Sequence, residues 1–353
     1  SWSNGLVITD HKTNGVSDGN EYVWIEVPNK NITGDGTISF TGPDYASTLP
    51  AEITGNLTDD QRTEIKGKIL AYTETLLAAT GINYKTTKVG WTDEYYDGCG
   101  IVNQTAYNTL YDNMLKSVYN HGGFWIGRYE AGIDGSSTNI SLARQKASDR
   151  ISSSSPKAVS KIDCIPYNYV YCSEAQTLAS SVDNVDISYN SSLMFGVQWD
   201  CVLKYLKETE AVEETYLTGN SESWGNYDLA YDLSQTSAHG YKGEKAFSSP
   251  YNLTWSAIES GYSHGKYSSG SIPYTALSTG ATTRNMRRNI YDLAGNMFEW
   301  TLEHGTSNSD PRCAKRGGYY HGTGSDYPAS IRGSSSTTTS DGSFRFPCFT
   351  ILT

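Results

Sequence analysis

Three groups of side chains in this chain are of types that do chemistry. GYSHG at 261–265 matches the Gly-x-Ser-x-Gly pattern, in which a sharp strand–turn–helix exposes a serine as an acyl-transfer nucleophile. Here KYSSGSIPY follows, with no helical periodicity and with a proline, so the match reads as a loop around Ser263. The six cysteines, Cys99, Cys164, Cys172, Cys201, Cys313 and Cys348, are scattered with no CxxC or CxxxC. A zinc site needs closer pairs or nearby histidines, so most of them read as buried small hydrophobes. Cys164 and Cys172 are the pair to test for a disulfide. The six histidines, His11, His121, His239, His264, His304 and His321, all stand more than five residues apart, so none forms a helical metal motif.

The third group is RGGYYHGTGSDYPASIRGSSSTTTSDGSFRF, residues 316–346. It holds three Tyr and one His among Gly, Ser and Thr, and has no Leu, Val, Lys, Glu, Trp or Met. It is too polar to be core. Tyrosine gives rigid amphipathic contact area at low entropic cost, and Ser and Gly adapt around it, which suits a binding surface. The plain alternative is an ordinary Ser/Gly loop.

What must position these residues is a packed domain. At 37% hydrophobic and 18% charged, the chain has enough apolar material for a core and too little charge for disorder. The formal net charge of −11 argues against nucleic acid and against anionic membrane surfaces. No apolar run approaches a transmembrane span, so no membrane insertion is expected. The opening SWSNGLVITD has no basic n-region and no h-region, so no signal peptide is read there.

Along the chain, YVWIEVP (22–28) alternates as a strand ended by Pro28. Residues 58–80 predict a helix, with Thr58 and Gln61 as a capping box and Ile65, Ile69, Tyr72 and Leu76 on one face. Gly81 supplies the stop. A second helix is predicted from about Thr105 to His121, ended by Gly122 and Gly123. GGFWIGRYEAG (122–132) reads as a strand. Ser173 is expected to cap a short helix through about Val182, and 197–210 to form another. From about 215 to 288 the signals are mostly those of loops. The whole reads as α+β with heavy loop content.

GGFWIGRYEAG, IPYNYVYCSEAQTLA (165–179), LMFGVQWDCVLKYL (193–206), NIYDLAGNMFEW (289–300), KRGGYY (315–320) and SFRF (343–346) occur in that order. The set resembles the formylglycine-generating-enzyme family, whose fold is a variant of the C-type lectin fold. YDLAGNMFEW is close to that family's YDMVGNVWEW. The resemblance covers roughly residues 120–350 plus the first strand. It implies a single elaborated C-type lectin-like domain over 1–353, with the first strand at 22–28, a helical insertion at about 58–121 and the core at 122–353. The family's enzymes need two reactive cysteines shortly after RGG; this chain has Tyr319, Tyr320, His321, Gly322, Ser325 and Asp326 there, so no catalysis is expected. By position, the family's calcium site would fall on the Asp292 and Glu299 side chains and the Gly295 and Met297 carbonyls, oxygen ligands that suit Ca2+.

Residues 316–346 also resemble the variable region of diversity-generating-retroelement proteins, which display a randomised segment on this same fold. Mutation of template adenines turns Asn codons into Tyr, His, Asp, Ser, Gly, Ile or Thr, but not into Lys, Glu, Gln, Trp or Met. The resemblance implies a non-catalytic ligand-binding protein, recognising protein or carbohydrate on a target cell from a phage tail tip or a bacterial surface. Its varied positions would be Tyr319, His321, Gly322, Asp326, Tyr327, Ile331, Gly333, Ser334, Ser335, Asp341 and Gly342. Tyr320, Pro328, Ala329, Ser330, Arg332, Phe344 and Arg345 would be framework. The alternative is an oxidoreductase of the same superfamily with an unrecognised metal or redox centre.

Overall fold

The computed structural model describes residues 4–27, 52–79, 91–142, 150–182, 189–227, 274–305, 312–320 and 322–336, with short strands at 231–232, 239–243, 254–257, 263–264, 343–344 and 347–350. Strands β1 (Val7–Thr9) and β2 (Glu21–Glu26) come first. Helix α1 (Asp59–Ala79), strand β3 (Trp91–Thr92), helix α2 (Gln104–His121) and strand β4 (Gly123–Gly127) follow. Then come helix α3 (Cys172–Ser180), strand β5 (Tyr189–Ser191) and helix α4 (Gly196–Glu208). The last strands are β6 (Glu299–Gly305), β7 (Arg312–Arg316), β8 (Gly333–Ser336), β9 (Ser343–Phe344) and β10 (Pro347–Thr350).

The class is α+β, with two larger sheets. One runs in the order β1-β2-β4-β10-β5. The other runs β8-β7-β6-β9, with β3 also pairing β6. The first sheet joins elements far apart in sequence: β4 lies between β2 and β10, which pairs Ile126 with Val23 on one side and with Pro347 on the other. All five residues of β4 are buried, so both of its faces are covered.

The helices form where capping and apolar spacing agree. Thr58 and Gln61 make the expected reciprocal bonds, Gln61 N to Thr58 Oγ1 at 3.2 Å and Thr58 N to Gln61 Oε1 at 3.0 Å. Ile65, Ile69 and Tyr72 face inward from α1, whereas Leu76 and Gly81 lie outside the described side chains and residues. Asn103 caps α2, its side chain accepting from Ala106 N, and Gly122 ends it in the left-handed conformation at φ 77°. The α3 expectation is corrected: the helix starts at Cys172, and Glu174 reaches back to accept from Tyr171 N at 2.9 Å, so Ser173 is inside the first turn. Segment 215–288 is also less loop-like than expected. It holds part of a short helix (Glu214–Thr218) and an antiparallel trio of 254–257, 239–243 and 274–277. Ser263 lies in a two-residue strand opposite Asp232.

Helices α1 and α2 are built into the core. Tyr107 and Tyr111 of α2 meet the Phe195 ring edge-on at 5.5 and 4.8 Å, and the Tyr107 hydroxyl donates to Leu302 O of β6. Just after β3, Asp93 accepts hydrogen bonds from Gly196 N and Val197 N, which caps α4 from another part of the chain.

That cap carries a pH dependence. Burial, then the neighbouring Glu303 carboxylate, raises the Asp93 pKa to about 7, against the pull of the two α4 amides. The folded state therefore holds this proton more tightly than the unfolded chain does. Stability from protonated Asp93 is complete below about pH 4 and is lost as pH rises through 7. Asp93→Asn should gain on wild type by about 2 kcal/mol between pH 5 and pH 8 in urea unfolding, after discounting for partial exposure. Parallel pH profiles for the two proteins would show that Asp93 is not the titrating group.

Candidate ligand-binding surface

The surface after β7 begins where the backbone turns sharply. Gly317 and Gly318 have φ of 86° and 81°, and a Cβ on Gly318 would sit 2.3 Å from Tyr327 O, so this turn requires glycine. Beyond it, scaffold groups hold the main chain of 317–330. The buried Tyr227 hydroxyl lies 3.1 Å from Gly317 O and 2.9 Å from Tyr327 O, joining the two ends of the loop. Burial keeps that phenol protonated by pushing its pKa up. Tyr320 N donates to Asn296 O, Ser221 N to Gly324 O, Ala329 N to Ser221 Oγ and Ser330 N to Leu217 O. The Trp199 indole donates to Ala329 O at 2.9 Å. These bonds use backbone atoms of the loop and backbone or side-chain atoms of the scaffold, so the loop's path depends little on its own side chains.

Arg332 fixes the far end. Its guanidinium bonds Asp200 Oδ2 at 2.5 Å and Glu303 Oε1 at 2.8 Å. Arg316 bonds the other oxygens, Asp200 Oδ1 at 2.8 Å and Glu303 Oε2 at 3.0 Å. The four side chains form a closed ring of alternating charge, each at most 4% exposed. Gly196 lets Glu303 approach α4; a Cβ there would lie 2.4 Å from the Glu303 carboxyl carbon.

Burial divides the stretch. Pro328, Ala329, Ser330 and Arg332 are buried, and Asp326 is exposed. Tyr319, Tyr320, Tyr327, Ile331 and Gly333 are half-buried, and both Tyr320 and Tyr327 pack against the core. Tyr319 stacks on Phe298 at 4.8 Å, Tyr327 meets Phe298 edge-on at 5.7 Å, and the two tyrosines meet at 5.0 Å. A Cβ on Gly333 would find only ordinary contacts, 3.7 Å from Phe298 Cε1. Positions 319, 327 and 333 thus converge on Phe298, which itself is backed by Lys315 Nζ at 4.7 Å. Gly322 is different: it is buried, and a Cβ there would lie 2.6 Å from Tyr327 Cδ2 and 3.0 Å from Tyr319 Cε1. Ser334 and Ser335 are in β8, opposite Ala314 and Cys313. His321, Asp341 and Gly342 lie outside the described residues.

No family model matches the chain, and no curated protein matches it.

The GNMFEW segment supports this surface from below. Asn296 is fully buried; its Oδ1 accepts from Asn226 Nδ2 and Leu277 N, and its Nδ2 donates to Glu130 Oε2 and Leu277 O. Of the calcium candidates, Asp292 accepts from Gly280 N at 2.8 Å and Asn285 Nδ2 at 3.3 Å, Gly295 N donates to Gly317 O, and Met297 N donates to Glu130 Oε1. Glu299 is fully buried in β6. Among the described residues no group of three or more His, Cys, Asp or Glu side chains is assembled for a metal ion. A buried oxygen does stand by, however: Asn285 Oδ1, beside Asp292, has no hydrogen-bond partner.

Cys99, Cys164, Cys172, Cys201 and Cys313 are buried free thiols, so Cys164 and Cys172 are not bonded to each other. Cys172 contacts Cys313 instead. Burial pushes the Cys164 thiol up to about 11 and raises Cys99 and Cys172 as well. Phe298, Tyr227, Ser221, Asp200 and Glu303 carry the surface but were not among the residues singled out from sequence. Phe298 and Asp200 had a visible signal, as residues inside GNMFEW and LMFGVQWDCVLKYL.

Proposed function

We propose that this chain is a non-catalytic ligand-binding protein that displays a diversified C-terminal surface on a C-type lectin fold of the formylglycine-generating-enzyme type. It serves recognition of a host or cell surface by a phage or a bacterium, through contacts with protein or carbohydrate. The observation that carries this reading is the division of labour in 317–332. The scaffold holds the main chain, while Asp326 is exposed and Tyr319, Tyr327 and Ile331 each keep part of their surface open to solvent. Free thiols with raised pKa values suit packing better than thiolate oxidation chemistry, which supports binding over the oxidoreductase alternative. Calcium, where bound, would be held by Asp292, Glu299 and the Gly295 and Met297 carbonyls, with Asn285 Oδ1 as a further oxygen donor.

Tolerance is the test. A variant carrying Tyr319→Ser, Asp326→Ser, Tyr327→Ser and Ile331→Ser should fold cooperatively with native near-UV circular dichroism and lose only about 2–3 kcal/mol, chiefly the two tyrosine contacts with Phe298. A display library randomised at those four positions should yield binders to unrelated target proteins. Loss of folding in the quadruple variant would sink the proposal.

A further inference from the structure

A cavity of about 200 Å³ opens between α1, α4 and the β3 edge, away from the aromatic cluster at Phe298. That is somewhat larger than the ~150 Å³ cavity that accommodates benzene in an engineered protein. Leu70, Trp91 and Tyr111 line its apolar wall, and Asp93, Glu94, Asp200 and Glu303 bring four carboxylates to it. The charges can be counted. Lys66 pairs with Glu94 at the mouth, where both side chains are partly exposed. Arg316 and Arg332 neutralise Asp200 and Glu303. Asp93 has no cationic partner among the described residues; its oxygens accept only from Gly196 N and Val197 N. Tyr111, 7% exposed and set edge-on against Phe195, is a fixed part of that wall.

We infer that this cavity binds a small organic cation, an alkylammonium or guanidinium group, with its charge at Asp93 and its carbon chain against Trp91, Leu70 and Tyr111. Three features select this class. One carboxylate is left over, so one positive charge is needed. The walls are aromatic and aliphatic, which favours a cation carrying hydrocarbon, held partly by the ring faces. The other carboxylates are committed to guanidinium groups, and no ligand set for a metal ion is assembled among the described residues.

Ionised Asp93 is the binding form. It faces Glu303 from β6, Asp200 from α4, Lys66 from α1, Tyr107 and Tyr111 from α2, and Glu94 from its own segment. An arriving cation offsets the repulsion from Glu303 and Asp200, so binding releases a proton near neutral pH and strengthens from pH 6 to pH 8.

Titration calorimetry of the whole chain with n-butylamine hydrochloride at pH 8 tests this, with n-butanol as the neutral probe of similar shape. Saturable one-to-one binding of the amine is expected, with butanol at least about tenfold weaker. Asp93→Asn should weaken amine binding about 10- to 100-fold, and Leu70→Trp, which fills the space without changing charge, should abolish it. Equal binding of amine and alcohol, unchanged binding to either variant, or no saturation by n-butylamine or guanidinium overturns the inference. If Asp93→Asn does not fold, Leu70→Trp and the comparison of pH 6 with pH 8 decide it.

Discussion

Arg332→Met should destabilise the protein by about 3–5 kcal/mol, although the residue lies in the most polar stretch of the chain. The reason is the ring it closes. Asp200 and Glu303 each bond both arginines, and all four side chains are buried. Two positive and two negative charges cancel only as a set. Removing the Arg332 guanidinium leaves both buried carboxylates one donor short, in a place where water cannot replace it. Ile331→Ser, one residue earlier and half-exposed, should change stability by less than about 1 kcal/mol. Urea unfolding of both variants measures the contrast. Equal small effects would mean that the ring is dispensable.

Asn296→Ala should have a comparable effect, about 3–5 kcal/mol, for a different reason. The side chain uses both its acceptor and its donor capacity. It ties Asn226, Leu277 and Glu130 together, and all these groups are buried. Alanine removes four hydrogen bonds and fills none of the vacated space. Because the Asn296 carbonyl also accepts from Tyr320 N, the damage should spread to the start of the loop after β7. Faster amide exchange at 319–327 in Asn296→Ala, with α2 still protected, is the expected pattern. Uniform loss of protection would indicate only global destabilisation.

Much of the local structure was legible in the sequence because its causes are local. The Thr58–Gln61 box and the end of α2 at Gly122 depend on residues within a few positions of each other, although the Asn103 cap just ahead of the predicted start went unread. Other features depend on partners far along the chain. Arg332 meets Asp200 across 132 residues, and Asp93 caps a helix that begins 103 residues later. No pattern of spacing encodes such pairs. Strand β8, GSSS, has no apolar alternation to announce it; it forms because β7 offers a backbone edge from Arg312 to Lys315. In the candidate surface, the aromatic and polar composition of 319–331 was readable. The role of Phe298 beneath the tyrosines was not, since it sits in a different motif.

Gly322 has a consequence for how shape follows from composition. Any other residue there must push aside the rings of Tyr319 and Tyr327, because its first side-chain carbon would fall within 3.0 Å of both. One codon change would then re-pose two neighbouring anchors, and the effects of substitutions at 319, 322 and 327 would not add. If this surface is diversified as proposed, such coupling would give more topographies than a count of independent positions suggests.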